Sequence, residues 1–324
     1  MQKVEPIHTF DQIKLFADSR RMTILRLLMA SPATLTHLAK TLGQSPAWIR
    51  HHIKLLESAN LVEIDEIRTT GTVTEKYYRA KAGGLLIQEL ILPKSKKPAV
   101  IFSGSHDLAL EVAALSLSKY VKLLSLSVGS LDGLINLRQG LCHISGAHLQ
   151  DENGEYNTAY IRRIFPDREM EVITLANRTQ GLMFRAGNPK KIRDVSDLAN
   201  SDIRFVNRNA GSGTRLWLDK ELNRTGIQPD AIRGYDHVVK THSEAASLIE
   251  NGQADVALGL QAAAVQHGLD FIPLFEERYD LVLPREQEKV LTPLLDHLQT
   301  AEFHRSTESL TGYSTVQSGQ RIPL

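Results

Sequence analysis

The chain has 324 residues, of which 42% are hydrophobic and 23% are charged, and this balance is typical of a globular protein of two domains. It has no run of about 18 apolar residues, no apolar signal core among its first residues and one cysteine, Cys142; we therefore expect a cytoplasmic protein with no membrane span, internal disulfide or cysteine zinc cluster. The net charge is +1, but residues 1–97 carry 15 Lys and Arg against 9 Asp and Glu, which indicates that this basic part meets a polyanion.

The first part of the chain carries a helical pattern. Apolar residues recur at helical spacing over residues 10–29. We then predict a helix over residues 34–41, a turn at Gly43-Gln44 and a helix over residues 46–58, which has Ser45 as its N-cap and Pro46 in its first position. Two short helices joined by a glycine-containing turn are typical of a helix-turn-helix.

The second of these helices has an apolar face and a polar face. The apolar face consists of Ile49, Ile53, Leu55 and Leu56. The other face suits the major groove of DNA and its phosphates. The candidate DNA-contacting residues at this helix are Ser45, Ala47, Trp48, Arg50, His51 and Lys54.

Residues 61–81 alternate in places between apolar and polar side chains and contain a turn at Thr69-Thr70-Gly71. This pattern predicts a β-hairpin, the wing of a winged helix. Residues near the tip of the wing are placed to touch phosphate or the minor groove. These candidates are Arg68, Thr70, Thr72 and Lys76.

These motifs resemble the ArsR-type winged helix. The resemblance rests on "ADSRRMTILRLLMASPATLTHLAKTLGQSPAWIRHHIKLLESANLVEI" and "GTVTEKYYRA", about 75 residues in all, with Asn60 in place of the usual glycine. It implies DNA binding and a homodimer held by the first and last helices, and residues 82–92 are apolar enough to form that last helix. A winged helix used only for protein contacts is the alternative.

Arsenic and zinc sensors of this family use cysteine pairs or sets of Asp and His residues, and the chain lacks the cysteine pair. His51 and His52 are neighbours on a helix, where successive side chains point about 100° apart. We therefore expect these two histidines to face DNA or the core and not to share a metal ion.

A basic linker that contains proline is predicted at residues 93–98, between a first domain over residues 1–92 and a second over residues 99–324. In the second domain, predicted strands alternate with helices, which indicates a parallel sheet. We expect two lobes, lobe 1 at about residues 99–175 and 275–324 and lobe 2 at about residues 180–270. The segment "EVITLANRTQGLMFRAGNPKKI", predicted to cross between the lobes, reads as strand-like pieces separated by a polar patch. A final helix over roughly residues 286–302 is expected to rejoin lobe 1.

Three predicted strands of the second domain end in small turns, at residues 103–105, 129–130 and 145–146. In an open α/β sheet, ligands bind outside the carboxyl ends of the strands, where backbone N–H groups, hydroxyls and helix N-termini meet. Ser103, Ser105 and Ser130 are therefore candidate ligand-binding residues, and small turns that serve packing alone are the alternative.

The segment "NRNAGSGTR", residues 207–215, is another turn rich in small and hydroxyl residues between a predicted strand and a predicted helix. Two glycines, two hydroxyls and an arginine exceed what an N-cap needs, so we predict an anion-binding turn. Its candidate ligand-binding residues are Ser212, Gly213, Thr214 and Arg215. A helix cap without a ligand is the alternative.

Further candidates lie near the predicted cleft between the lobes. Arg178, Gln180 and His148 are polar there, and each is equally consistent with a structural role. Tyr279, on the predicted return strand, is placed either to close over a ligand or to belong to the core. We include Arg178 and Tyr279 among the candidate ligand-binding residues.

The order of these elements resembles the type II periplasmic-binding-protein fold, as used in the effector domains of LysR-type regulators. More narrowly, "GSLDGLINLRQGLCHISGAHLQDENGEYN", "RFVNRNAGSGTRLWLD" and "EAASLIENGQADVALGL" resemble cytoplasmic domains related to molybdate and tungstate binders, and the likeness covers nearly all of residues 98–285. This resemblance implies a tetrahedral oxyanion held by hydroxyls and helix N-termini. The residues alone support a small anion.

We therefore expect an N-terminal α+β winged helix-turn-helix followed by a C-terminal α/β, two-lobed, periplasmic-binding-protein-like domain. No hydrolase elbow, Walker loop, zinc-protease motif or dinucleotide fingerprint occurs, so we expect neither an enzyme nor a cofactor.

The function expected is that of a regulator that binds a palindromic double-stranded DNA operator as a homodimer and responds to a small anion, molybdate or tungstate first. One alternative is a sensor of a small organic carboxylate. Another is an oxyanion-binding protein whose winged helix serves only dimerisation. Activation or repression, and the pairing of dimers into tetramers, are left open by the sequence.

Overall fold

The chain divides into two compact units, residues 1–91 and residues 92–324. The computed structural model describes residues 4–7, 9–87, 91–92 and 96–324. Residues 93–95 of the predicted linker lie outside this described part. None of the described helices is long and apolar enough to span a bilayer.

The first unit combines a small sheet, a separate pair of strands and a set of helices. Its strands are β1 (Val4–Ile7), β2 (Ala33–Thr34), β3 (Val62–Thr70), β4 (Val73–Ala80) and β5 (Gly84–Ile87). Its helices are α1 (Phe10–Leu15), α2 (Ser19–Ala30), α3 (Leu35–Leu42) and α4 (Pro46–Ser58). The sheet has the order β2-β4-β3, and β1 pairs with β5 in parallel.

The helix-turn-helix forms where local caps and packing agree. The Thr34 side chain caps α3, and Gly43 ends this helix in the left-handed conformation that glycine adopts easily. The Ser45 side chain then caps α4, with Pro46 in the first turn. The predicted pair of helices and the wing hairpin of β3 and β4 are confirmed.

The buried face of α4 differs from the predicted one at a single position. Leu55 is half-exposed, whereas His52 is buried in the core beside the other three predicted apolar residues. The rings of His52 and the half-buried Trp48 meet edge to face, with 4.2 Å between their centroids. This aromatic contact explains how an imidazole occupies an apolar position.

The predicted last helix over residues 82–92 is wrong where the structure describes it. Residues Gly84–Ile87 form β5, in parallel register with β1, and residues 88–90 lie outside the described part. Two adjacent glycines, Gly83 and Gly84, disfavour a helix because glycine loses the most backbone freedom. Leu85 packs against the core of the unit from the strand.

The second unit contains a large sheet with helices on its faces. Its strands are β6 (Ala99–Gly104), β7 (Lys122–Ser127), β8 (Ile144–Ala147), β9 (Met170–Arg185), β10 (Phe205–Arg208), β11 (Val238–Val239), β12 (Val256–Leu260), β13 (Leu269–Pro284) and β14 (Tyr313–Ser314). Its α-helices are α5 (Leu108–Ser116), α6 (Ser130–Arg138), α7 (Thr158–Ile164), α8 (Gly213–Thr225), α9 (His242–Glu250), α10 (Gln261–Gln266), α11 (Glu288–His297) and α12 (Ala301–Glu308). Short 3-10 turns lie at Leu117–Lys119, Val195–Ala199, Pro229–Ala231 and Arg285–Gln287.

In the described part of the chain, the strands of this unit form one sheet in the order β11-β10-β12-β9-β13-β8-β6-β7, with β14 beside β9. In lobe 1, β7 and β8 run parallel to β6; in lobe 2, β11 and β12 run parallel to β10. Between them, β9 and β13 pair in antiparallel fashion over most of their 16 residues. This is the predicted two-lobed α/β fold, with β9 and β13 as the strands that cross between the lobes.

Two elements of this unit differ from their predicted extent. Each crossing segment is one continuous strand, although a polar patch at Arg178 and Gln180 suggested an interruption; the polar side chains are paired with those of the facing strand. The predicted final helix over residues 286–302 is two helices, α11 and α12. Thr300 caps the start of the second one, so the chain turns between them.

Glycines allow the strand ends of lobe 1 to pack closely. A Cβ added to Gly146 would lie 1.9 Å from Tyr279 Oη and 2.6 Å from Phe102 Cζ. A Cβ added to Gly104 would lie 2.4 Å from the carbonyl oxygen of Gly146. These distances leave no room for a methyl group, so the contact between β8 and the crossing strand requires glycine.

Gly146→Ala tests this close packing. We expect the free energy of unfolding to fall by about 1–3 kcal/mol, because the added methyl group overpacks a buried site. The matched control is Ser145→Ala on the same strand, which removes a buried hydroxyl without a hydrogen-bond partner in the described structure. Urea unfolding of the full chain in a Trp48→Phe background, followed by Trp217 fluorescence, measures both. Equal stability of the two variants would contradict the packing argument.

Candidate functional site

Buried polar residues meet where the carboxyl ends of the parallel strands of both lobes approach the middle of the crossing strands. We term this set the polar cluster. Each of its members is at most 7% exposed. The polar cluster consists of His106, Asp107 and His148 from loops of lobe 1, Arg178, Gln180, Glu277 and Tyr279 from the crossing strands, and Arg208 and His242 from lobe 2.

Arg178 is paired with carboxylates on two sides. Its Nη1 donates to Asp107 Oδ2 at 2.7 Å, and its Nε donates to Glu277 Oε1 at 2.6 Å. Burial alone would lower the pKa of Arg178, but the two carboxylates outweigh burial and raise the pKa above its ordinary value. Its remaining nitrogen, Nη2, has no hydrogen-bond partner within the described residues.

Glu277 holds the cluster together. It lies opposite Arg178 in the ladder of β9 and β13, so the strand register brings the two charges together. Its Oε1 also accepts from Gln180 Nε2 at 2.6 Å, and its Oε2 accepts from His148 Nδ1 at 2.7 Å. Burial alone would raise the pKa of Glu277, but Arg178 and His148 lower it to about 2. Both carboxylate oxygens are therefore occupied by donors of the protein itself.

Arg208 differs from Arg178 because it makes no ion pair with any described carboxylate. Its Nη2 donates to the carbonyl oxygen of Lys240 at 2.7 Å, whereas Nε and Nη1 have no partner in the described structure. Burial, and then the neighbouring Arg178 guanidinium, lower the pKa of Arg208 to about 9. The side chain therefore stays cationic at neutral pH, and unpaired charged donors in a buried place are costly to keep.

Histidine rings complete the cluster. Both ring nitrogens of His242 are buried without a partner among the described residues, as are His148 Nε2 and His106 Nδ1. The ring centroids of His106 and His242 lie 6.4 Å apart. Burial, followed by the charges of Arg208 and Arg178, lowers the pKa of His242 well below its ordinary value. His242 is therefore neutral at pH 7.

The unpaired atoms of the cluster favour an anion over a cation. N–H groups of two guanidinium ions and an imidazole are free to donate, and such charge-assisted bonds to anionic oxygens are short and strong. The carboxylates are already engaged, and Gln180 Oε1 is a free acceptor beside them. Within the described ranges, no group of three or more His, Cys, Asp or Glu side chains is arranged to hold a metal ion.

Hydrogen bonds between the lobes close over the cluster. Asn209 Nδ2 of lobe 2 donates to the carbonyl oxygen of Val128 in lobe 1 at 2.6 Å. The Leu131 N–H of lobe 1 donates to the carbonyl oxygen of Gly211 at 3.2 Å. These two contacts join the lobes next to the cluster, whose members are at most 7% exposed.

A small cavity borders the cluster. It has a volume of about 30 Å³, and its lining includes His148, Glu277 and the rings of Trp217 and Phe275. The two aromatic rings are stacked with 4.2 Å between their centroids. A cavity of this size holds one or two water molecules. Trp217 therefore lies close enough to the cluster to report on its opening by fluorescence.

The predicted anion-binding turn lies at the edge of the cluster, but its hydroxyls are used inside the protein. Ser212 Oγ caps α8, and Thr214 Oγ1 accepts from Gln180 Nε2 at 2.9 Å. A Cβ added to Gly213 would lie 2.4 Å from His148 Nδ1. The turn therefore needs glycine in order to approach the loop of lobe 1.

Arg215 is not brought into the cluster. Its Nε donates to both carboxylate oxygens of Asp219 at 2.9 and 3.1 Å, and its guanidinium carbon lies 3.9 Å from the centre of the Tyr235 ring. A partner four residues later on its own helix thus satisfies the charge. Of the two arginines in the segment of residues 207–215, Arg208 is the one that lies in the cluster.

The serines predicted in lobe 1 bond within that lobe. Ser105 Oγ and Ser130 Oγ are 3.0 Å apart, and Ser105 also accepts, through its carbonyl oxygen, from the hydroxyl of Tyr279. Ser103 Oγ accepts from Asn136 Nδ2 at 3.0 Å. Ser105 and Ser130 therefore border the cluster, next to its member Tyr279. Ser103 instead contacts α6, away from the cluster.

Arg208 and His242 were not among the predicted site residues, although each carries two buried nitrogens without a partner in the described structure. Arg208 is the last residue of β10, and His242 is the first residue of α9. A charged residue at the carboxyl end of the strand "RFVNR" was the available signal for Arg208. The sequence offered little indication of His242. The strand before it, β11, has only two residues, too few to show the alternation of apolar and polar side chains that marks a strand.

The predicted DNA-contacting face of the first unit is largely exposed. On and next to α4 the exposed residues are Ser45, Ala47, Arg50, His51 and Lys54, and on the wing they are Arg68, Thr70, Thr72 and Lys76. Trp48 is half-buried, and its ring lies 5.9 Å from the guanidinium carbon of Arg20. Arg68 pairs with Glu66 at 2.8 Å. The exposed basic residues on α4 are Arg50 and Lys54, with His51 beside them.

Comparison with known families agrees with this architecture. Residues 113–299, more than half of the chain, match the family described as "PBP superfamily domain". The chain belongs to the PBP superfamily. Residues 18–63 match the family "Bacterial regulatory protein, arsR family". The PBP superfamily domain is thus joined to a helix-turn-helix of the arsR family, which is a DNA-binding module.

Relatives of this PBP superfamily member include two bacterial proteins. "Uncharacterized protein YvgK" of Bacillus subtilis (strain 168) is 37% identical over 229 residues, which are 70% of this chain and 74% of the relative. "Uncharacterized protein in ferredoxin 2Fe-2S gene 5'region" of Clostridium pasteurianum is 34% identical over 110 residues, which are 33% of this chain and 97% of the relative.

Solved structures with a related fold include an ABC-type phosphate transport receptor from Vibrio cholerae, with a TM-score of 0.44 and 16% identity over 66% of this chain and 99% of its own. Peb3 from Campylobacter jejuni has a TM-score of 0.46 and 18% identity over 67% of this chain and 99% of its own.

Substitution of each buried arginine by methionine compares how a paired and an unpaired charge affect the free energy of unfolding. Arg178→Met leaves two buried carboxylates without their cation, so we expect the free energy of unfolding to fall by about 3–5 kcal/mol. Arg208→Met removes an unpaired buried charge and keeps most of its volume, so we expect a loss below about 1 kcal/mol or a gain. Urea unfolding in buffer without added oxyanions checks both. Equal losses would contradict the difference in pairing.

The buried His242 predicts a pH dependence of stability. Its pKa in the folded protein lies below the ordinary value of 6.5, so below that pH the unfolded chain binds a proton that the folded chain does not. The free energy of unfolding should therefore fall with pH below about 6.5, by up to about 1.4 kcal/mol per pH unit. His242→Asn should reduce this slope in urea unfolding between about pH 7.5 and 5.5 by the contribution of one group. His52, His143 and His148, whose pKa values burial also lowers, keep the remainder of the slope. The control His267→Asn removes a ring bonded to Glu250 outside the cluster and should retain the slope; an unchanged slope in His242→Asn would contradict the assignment.

Proposed function

We propose that the protein is a ligand-responsive transcriptional regulator. Its winged helix binds an operator in double-stranded DNA as a homodimer, and its two-lobed domain binds a small oxyanion, molybdate or tungstate first. Binding and release of the anion are the function of the cluster, and no catalytic step is part of the proposal. The observation that carries the proposal is Arg208, a buried cation whose Nε and Nη1 have no partner among the described residues.

The chemistry of the cluster supports an anionic ligand. A guanidinium presents its N–H groups as a fork that fits two oxygens of one anion. Arg178 Nη2 and the His242 ring add further unpaired donors to the same buried place. A ligand that accepted from these groups would replace the hydrogen bonds that they lose on leaving water.

The confined space supports a small ligand. The cluster is closed by residues of both lobes, each at most 7% exposed. An organic carboxylate would need additional volume for its carbon skeleton. A compact inorganic oxyanion brings several acceptor oxygens without that demand.

Regulation requires that the anion favour one arrangement of the protein over another. An oxyanion held by lobe 1 and lobe 2 together stabilises the closed lobes, because it gains contacts that the open form lacks. The coupling between anion and DNA is then expected to be about 1–3 kcal/mol, or a change of about 5- to 150-fold in DNA affinity. By linkage, DNA must change the affinity for the anion by the same factor.

Calorimetric titration of the stripped, full-length protein with molybdate, tungstate, sulfate and phosphate tests the ligand. We expect binding of molybdate or tungstate, and we expect Arg208→Met to weaken it about 100-fold because a buried charged contact is lost. The control Arg224→Met removes an arginine at the end of α8 that pairs with Glu221, and it should bind as the unmodified protein does. No heat with any of the four anions would contradict the proposal.

Gel-shift titration with DNA from upstream of the protein's own gene tests the proposed DNA binding. Arg50→Ala should weaken DNA binding about tenfold, since one phosphate or base contact is lost, and should leave the anion affinity unchanged. Arg208→Met should retain DNA binding but lose the response to the anion. A chain that binds anion and forms dimers but shifts no DNA would favour a binding protein whose winged helix only dimerises.

A further inference from the structure

The charges of the polar cluster balance without a ligand. Two arginines face two carboxylates, Asp107 and Glu277, and all four side chains are at most 3% exposed. An oxyanion that enters adds at least one negative charge to a place sealed from water. Burial of an uncompensated charge is strongly unfavourable. An oxyanion is therefore expected to bring a positive charge with it, and a proton is the smallest one.

Among the histidines of the cluster, His242 has the ring that is most free to bond to an incoming anion. His148 already uses Nδ1 in its bond to Glu277, and His106 uses Nε2 in its bond to Glu111. Both nitrogens of His242 are buried and have no hydrogen-bond partner in the described ranges. A protonated His242 would offer two N–H donors where the neutral ring offers one.

The surroundings of His242 explain why it is neutral in the absence of an anion. The charged and titratable groups around its ring are Arg208 on β10, Arg178 on β9, and His106 and His148 from the loops of lobe 1. The strands β11 and β12 and the helix α10 contribute no titratable side chain. An anion beside the two guanidinium groups would reverse the electrostatic field at the ring.

The helix of His242 supplies no nearby counterion to the ring. Glu244, on the same helix, is exposed and accepts from the Lys240 N–H at 3.0 Å. On the other side, Gly259 of β12 lies so close that an added Cβ would be 3.2 Å from His242 Nδ1. Nδ1 therefore lies against β12, which leaves no room for a counterion on that side of the ring.

We infer that the oxyanion binds together with one proton, and that His242 holds this proton and donates it to the anion as a hydrogen bond. The inference rests on the proposed function and names a further ligand-binding residue of the same site. The proton comes from a buffer acid; a new N–H bond forms on the imidazole, and the conjugate base stays in solution. Anion affinity should then rise as the pH falls, by up to about tenfold per pH unit.

Calorimetry of the full-length protein in several buffers of different ionisation enthalpy measures the protons taken up. The titrants are sulfate, molybdate and tungstate at about pH 7.5 to 8, where these anions are fully ionised and the proton therefore resides on the protein. We expect an uptake close to one proton for each anion that binds. In His242→Asn the uptake should fall towards zero and the affinity should lose most of its dependence on pH.

Controls make the result specific. His267→Asn, which removes a ring bonded to Glu250 outside the cluster, should retain the full uptake. His242→Gln serves as a second variant if the asparagine variant does not fold, and the buffer series on the unmodified protein is decisive without any variant.

Each outcome has one meaning. Binding without proton uptake by the unmodified protein overturns the inference but leaves the oxyanion sensor intact. Full uptake in a folded His242 variant overturns the assignment of the proton to His242. Absence of binding for all three anions overturns the inference and the proposed ligand together.

Discussion

The site depends on how each of its two buried arginines is paired with other groups of the protein. Arg178 receives two carboxylates, whereas Arg208 receives a single carbonyl oxygen. A fold that needed these charges only for stability would pair both of them, since an unpaired buried cation lowers stability. The asymmetry separates an arginine that fixes the crossing strands from an arginine that, in the proposed function, completes its hydrogen bonds with the anion.

The architecture explains how such a cluster is assembled. The parallel strands of lobe 1 and those of lobe 2 run in opposite directions, and their carboxyl ends meet at the middle of β9 and β13. At that place Arg178 and Glu277 lie opposite each other in register. Glycines at Gly146 and Gly213 let backbone approach Tyr279 and His148 where a side chain would not fit. Apolar packing and strand register thus position buried polar groups that have little freedom to rearrange, which is the preorganisation that the proposed anion binding requires.

Much of this molecule was readable from its sequence, because local rules decide local structure. Ser45 and Pro46 start α4 as caps and proline rules require, and Ser212 caps α8. The turn at residues 211–215 was correctly placed at a strand-to-helix junction beside the cleft. Dimerisation remains a prediction, but the last helix expected to hold the dimer is wrong at Gly84–Ile87, which form a strand paired with β1.

The choice between neighbouring side chains was not readable, because it depends on tertiary partners. Arg215 looked like the anion-binding arginine, but Asp219 and Tyr235 engage it. Arg208 has no such local partner, and only the folded structure reveals that. His52 likewise is buried, with the Trp48 ring packed against it, whereas Leu55, predicted to be in the core, is half-exposed. The hydrophobic pattern of a sequence identifies which face of a helix or strand is buried. Which polar groups pair with one another depends on residues that are distant in the sequence, so it can be read only from the folded structure.

The most direct measurement is a crystal structure of the full chain grown with tungstate, with data collected to reveal anomalous scattering by tungsten. The account predicts a strong peak inside the polar cluster, with oxygens about 2.7–3.2 Å from Nε and Nη1 of Arg208. Tungsten bound only on the surface, or a cluster in which Arg208 pairs with a protein carboxylate while the anion lies elsewhere, would contradict it.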